Sequence, residues 1–174
     1  MVGYDIVKIN ETLQLINNDY LPYITGMYMN NLEISIVSSY DFPSINYYEI
    51  YFYMNVSSIH SLSHMFARIK GIDSIYFTRK FDTKNINNMD FMFYNCSVMS
   101  LDVSIFNTSK VTSMNGTFAH SSIRRINIQD FDTSRVTNMD QMFTSCVYLD
   151  SLDVSNFNTK SVISMNYMFQ NLTR

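Results

Sequence analysis

The chain has 174 residues, 47% hydrophobic and 16% charged, with a formal net charge of −3. That length supports one domain with a sizeable core, and the apolar content excludes a disordered polar chain. The weak acidity lacks the basic footprint of a nucleic-acid binder, and 4 Gly with 2 Pro speak against a turn-rich sandwich or barrel.

Nothing approaches a run of ~18 apolar residues, so no membrane insertion is expected. Residues 1–21 lack a basic stretch leading into a continuous apolar one, so no secretory signal is visible.

Residues 1–45 read as an N-terminal cap. Ile6, Ile9, Leu13 and Ile16 fall at helical spacing and predict an amphipathic helix over residues 5–18. Leu32, Ile34 and Ile36 alternate and predict a strand over 32–37, turned back on residues 23–29 through Asn30 and Asn31. Residues 21–45 are then either a β cap or a degenerate first repeat.

Residues 46–174 read as an array of about five repeats of 25–27 residues. Phe66, Phe93, Phe118, Phe143 and Phe169 follow one another at steps of 27, 25, 25 and 26. Each repeat opens on a short alternation: Ile50/Phe52, Ile75/Phe77, Leu101/Val103, Ile126/Ile128 and Leu152/Val154. Strands in register every 25 or 26 residues are expected to stack as one parallel sheet. A phenylalanine, an Asp or Asn and a Thr come next, the residue types that cap a helix. Val111, Met114 and Phe118 then stand at i, i+3 and i+7, as do their counterparts in the other repeats, and predict a short helix. Cys96 and Cys146 occupy equivalent positions two repeats apart, ~10 Å by strand spacing. That is too far for a disulfide, so two free thiols are expected.

The patterns LxxLxVxxF at 149–157 and NTxxVxxMxxMF at 158–169 resemble the BspA-like leucine-rich repeats of bacterial and protist surface proteins. The segments LDVSNFNTKSVISMNYMF at 152–169 and INIQDFDTSRVTNMDQMF at 126–143 carry the likeness most closely. The resemblance implies an α/β solenoid: one concave parallel sheet, short helices opposite and an N-terminal helix or β cap. It also implies adhesion or interaction without catalysis. Phe106, Phe131 and Phe157 stand where mainstream leucine-rich repeats carry Asn or Cys, so no asparagine ladder is expected. The signal peptide and anchor common in exported relatives are not visible, which leaves surface and cytoplasm both open.

The outward strand residues form the expected binding face: Tyr51, Tyr53, Tyr76, Asp102, Arg125, Asn127, Gln129 and Asp153. Its first half is aromatic and its second polar. Exposed tyrosines give large contact area at low entropy cost and suit a protein partner, although tyrosine is also simply a good strand residue. An adhesin or host-interaction factor and an intracellular adaptor both fit. Asp102 and Asp153 invite comparison with a glycosidase pair, but ~10 Å is at or beyond the ~6.5–9.5 Å of inverting enzymes. His60 and His64 have metal-ligand spacing without a third ligand. Neither cofactor nor metal is expected. Lys84, Lys110, Arg135 and Lys160 recur once per repeat as a basic ridge. A bare strand at 152–154 predicts either further repeats or an edge-to-edge homodimer.

Overall fold

The alternations Ile50/Phe52 and Ile75/Phe77 do form strands, but those strands are not neighbours. The computed structural model describes residues 2–7, 12–30, 32–41 and 47–172. Among these residues nine strands run in chain order: β1 (Val2–Val7), β2 (Thr12–Gln14), β3 (Ile24–Met29), β4 (Leu32–Ile34), β5 (Ser39–Asp41), β6 (Tyr47–Met54), β7 (Ile72–Phe77), β8 (Ser100–Asp102) and β9 (Arg125–Ile126). Seven make one mixed sheet in the order β4-β3-β6-β1-β7-β8-β9, while β2 and β5 form a separate antiparallel pair. β1 is inserted antiparallel between β6 and β7. Among the described strands only β7-β8-β9 pair in parallel.

This arrangement overturns the expected α/β solenoid with one parallel sheet and helices opposite. The strands shorten from six residues in β7 to three in β8 and two in β9. Residues 152–154 carry no strand. Of the cap predicted over 1–45, the helix at 5–18 is replaced by β1, β2 and a 3-10 turn over Asn18–Tyr23. The predicted strand at 32–37 is present only as β4, and its hairpin with β3 forms. The boundary at residue 46 lies outside the described residues.

Among the described residues no segment is α-helical. The stretch over 111–121 shows why. Amides at Met114, Gly116, Phe118 and His120 donate to carbonyls of Asn138, Asp140, Met142 and Thr144 in the next repeat. The amides between them close tight turns, Thr117 on Met114, Ala119 on Gly116 and Ser121 on Phe118. Gly116 and His120 adopt positive φ, as do Phe91 and Asn95 one repeat earlier and Gln141 and Ser145 one repeat later. Two left-handed residues four apart forbid a right-handed helix. A chain that turns inward every three or four residues buries the same positions a helix would, so its periodicity matches that of a helix.

Buried Phe66, Phe93, Phe118 and Phe143 stack face to face at centroid distances of 5.6, 5.8 and 5.4 Å. Thr83 and Thr133 run beside them as a buried ladder. Thr83 Oγ1 accepts from the Asn107 amide at 2.8 Å and donates to its carbonyl at 3.2 Å, and Thr133 does the same with Asn158 at 2.7 and 3.2 Å. The Asp or Asn before each Thr makes an Asx turn instead of a helix cap, as in Lys84 N–H to Asp82 Oδ1 at 3.1 Å. Cys96, Ser121 and Cys146 hold one buried column with both thiols free.

Candidate functional site

One face of the seven-stranded sheet buries Met27, Ile50, Phe52, Ile75 and Phe77 in the core. Alternation sends Tyr28, Tyr51, Tyr53 and Tyr76 to the other face. Tyr28 lies directly opposite Tyr51 across the β3-β6 pair. Its ring meets Tyr53 edge-on at 5.5 Å. The Tyr51 and Tyr76 rings meet at 6.3 Å, although β1 separates their strands. The β1 residue in register with both is Gly3. Strands two apart lie about 9.6 Å apart, and a residue without a side chain leaves the room for both rings to lean inward. Gly26 does the same beneath the other pair: a Cβ there would meet Tyr28 Cε2 at 3.2 Å and Tyr53 Cδ2 at 3.6 Å.

The structure therefore brings Tyr51, Tyr53 and Tyr76 together on one face of a mixed sheet, with Tyr28 beside them. Sequence reasoning reached residues 23–29 as a hairpin strand, but the register bringing Tyr28 to Tyr51 is a long-range fact. Gly3 and Gly26, two of four glycines in the chain, were the available signal.

The polar half has a different character. Asp102 continues the row beside Tyr76 in the parallel register. Its Oδ1 accepts from Ser104 N–H at 3.0 Å and Ser104 Oγ at 2.7 Å. Asn127 Oδ1 accepts from the Gln129 amide at 3.2 Å, and Asp153 Oδ1 from the Ser155 amide at 2.9 Å. Gln129 Nε2 also donates to Asp153 Oδ2 at 3.1 Å. Asp102 and Asn127 build the turns that follow β8 and β9, and Asp153 builds the equivalent turn where no strand forms. Hydrogen bonds from Ser104 hold Asp102 below the usual carboxylate range, and bonds from Ser155 and Gln129 do so for Asp153. Both favour the ionised form, opposite to what a general acid needs. Arg125 is exposed, with Nε 3.9 Å from Asp150 Oδ2, beside an open depression lined by Met99, Ser100, Arg124 and Asp150.

His60 and His64 do not converge. His60 Nδ1 lies 3.2 Å from the Asn85 carbonyl, whereas the His64 ring packs 5.1 Å from Phe91. Among the described residues no three His, Cys, Asp or Glu could hold a metal. The basic positions are exposed, but Lys84 pairs with Asp82 at 2.8 Å and Lys110 donates to Asn85 Oδ1 at 3.1 Å. Among the described residues no helix is long and apolar enough to cross a membrane.

Residues 60–174 match the family described as "Mycoplasma protein of unknown function, DUF285". No curated protein and no solved structure matches the chain.

Proposed function

The chain belongs to the DUF285 family, and from that premise we propose that it is a non-enzymatic binding protein that engages a protein partner through the tyrosine face of its sheet. The observation that carries this is the contact of Tyr51 with Tyr76 across Gly3. Tyr28 and Tyr53 extend it into a four-ring surface. Rings held by one another lose little freedom on binding, so contact area converts efficiently into affinity. Asp102, Asn127, Gln129 and Asp153 form its polar margin rather than a reaction centre, because Asp102, Asn127 and Asp153 each spend Oδ1 on a turn and Gln129 bonds to Asp153. The likeness of the repeat motifs to BspA-like adhesion and interaction proteins points the same way, with the weight of an analogy.

The test is capture from native lysate with mass-spectrometric identification. Wild type is compared with the combined Tyr28→Ser, Tyr51→Ser and Tyr76→Ser variant, after urea unfolding establishes that both are folded. Loss of the same captured protein in the variant is expected. Equal capture by both removes the tyrosine face from the function.

A further inference from the structure

The stacked turn stretches have chemically unlike ends. At each interface the amides of one repeat donate to the carbonyls of the next: Met139, Gln141, Phe143 and Ser145 donate to Ser164, Asn166, Met168 and Gln170 at 2.8, 2.8, 2.9 and 2.7 Å. The leading repeat therefore presents carbonyls at Ser61, Ser63, Met65 and Ala67, and the first three are already met. The Tyr20 hydroxyl donates to Ser63 O at 2.9 Å and Ser61 O at 3.3 Å, and the Asn17 amide donates to Met65 O at 3.0 Å. Over residues 165–171 the trailing repeat presents donors. Met165, Tyr167, Phe169 and Asn171 hold the places of the four donating residues above, and among the described residues nothing accepts from their amides.

The side chains follow the same division. Phe143 is sandwiched and fully buried, whereas Phe169 stacks on it at 6.1 Å with its other face open and is 46% exposed. Met165 is 45% exposed where its counterpart Met139 is buried, and Ile163 is 86% exposed.

We propose that this trailing face is a docking surface for a partner repeat of the chain's own consensus, entering by its carbonyl side. Such a repeat brings four carbonyls at alternate residues, matched to the four amides, and a phenylalanine that continues the ring stack. An ordinary strand edge fits poorly, because it offers donors and acceptors together where Met165, Tyr167, Phe169 and Asn171 take acceptors only. A second copy of the chain does not fit either. Residues 165–171 of its trailing face are likewise donors, and three of its four leading carbonyls, at Ser61, Ser63 and Met65, are occupied by Tyr20 and Asn17.

The full chain tethered through a flexible Gly/Ser linker to a second copy of residues 144–172 tests this, since a tether supplies the partner at roughly millimolar effective concentration. Amide exchange at Met165, Tyr167, Phe169 and Asn171 is expected to slow about tenfold or more relative to the untethered chain. No slowing is expected when the tethered copy carries Met165→Ser, Met168→Ser and Phe169→Ser. Equal exchange in all three proteins overturns the proposal, as does equal slowing by the serine copy. Slowing that grows with concentration in the untethered chain also overturns it, because a second copy would then be the occupant.

Discussion

Gly116 shows how a single residue is fixed by its neighbours in the stack. It sits at φ +58°, and a Cβ there would lie 2.5 Å from Phe91 Cδ1. Phe91, His120 and Gln141 tolerate positive φ at related places, so the ring, more than the backbone, demands glycine. Gly116→Ala is expected to cost about 1–3 kcal/mol in urea unfolding. Trimming Phe91 to leucine in the same chain is expected to return part of that, a coupling that a double-mutant cycle measures. Cys96 makes a pH prediction. Burial pushes its thiol up to about 12 from an ordinary 9.0. Above pH 9 the unfolded chain releases this proton and the folded chain keeps it, so the folded state binds more protons and stability falls with rising pH between about 9 and 12. Cys96→Ser, the residue already present at Ser121 in the same column, is expected to flatten that slope in unfolding curves taken across the window. Asp132 works in the opposite sense. Hydrogen bonds from Ser134 hold its carboxyl below the usual range, so its contribution is lost as pH falls through the carboxylate range. Asp132→Asn, matching Asn107 and Asn158, is expected to leave stability at pH 7 unchanged and to reduce acid sensitivity. At this scale the sequence was informative: Tyr51, Tyr53 and Tyr76 were legible from alternation alone, whereas Tyr28 was not, because no local pattern encodes which strand it faces.

The turn stretch is the element in which local pattern and structure part company. Val111, Met114 and Phe118 are buried as the spacing implies, yet the backbone is a run of tight turns. Two turns of isolated helix are marginal, and the alternating inter-repeat bonds satisfy the same amides without one. The repeat length, the buried set and the Asx-Thr pair were legible. The left-handed positions at His64, Asn95, His120 and Ser145 were not, since they hold His, Asn and Ser residues that elsewhere sit in helices or loops. The ring stack gives this element its energetic test. Phe118→Ala removes a ring buried on both faces and is expected to cost about 3–5 kcal/mol in denaturant unfolding. Phe169→Ala removes a ring stacked on one face and is expected to cost well under half of that.

Across the whole molecule the decisive feature is β1. Its residues pair with six on β6 and five on β7, so the chain's first segment joins the N-terminal strands to the repeats. Nothing local in residues 2–7 announces this, and the expected single parallel sheet failed for that reason. Deleting residues 1–7 leaves β6 and β7 with a row of unpaired edge groups each, and is expected to abolish the cooperative urea transition seen in the full chain; a single transition of unchanged midpoint would refute the assignment. The repeats beyond β7 carry a further consequence. In an ordinary sheet neighbouring peptide dipoles largely cancel, but over residues 114–120 and their equivalents four inter-repeat bonds run one way, from each repeat's N–H to the following repeat's C=O, and outnumber reverse bonds such as that from Thr137 N–H to Thr112 O. The stack thereby gains what is usually a property of the α-helix: a macrodipole running across the chain direction, positive at the trailing end, where four amides are free as at a helix N-terminus. A carboxylate in place of Tyr167 is therefore expected to be more stabilising than a lysine there by about 0.3–1 kcal/mol, with the difference fading as salt is added.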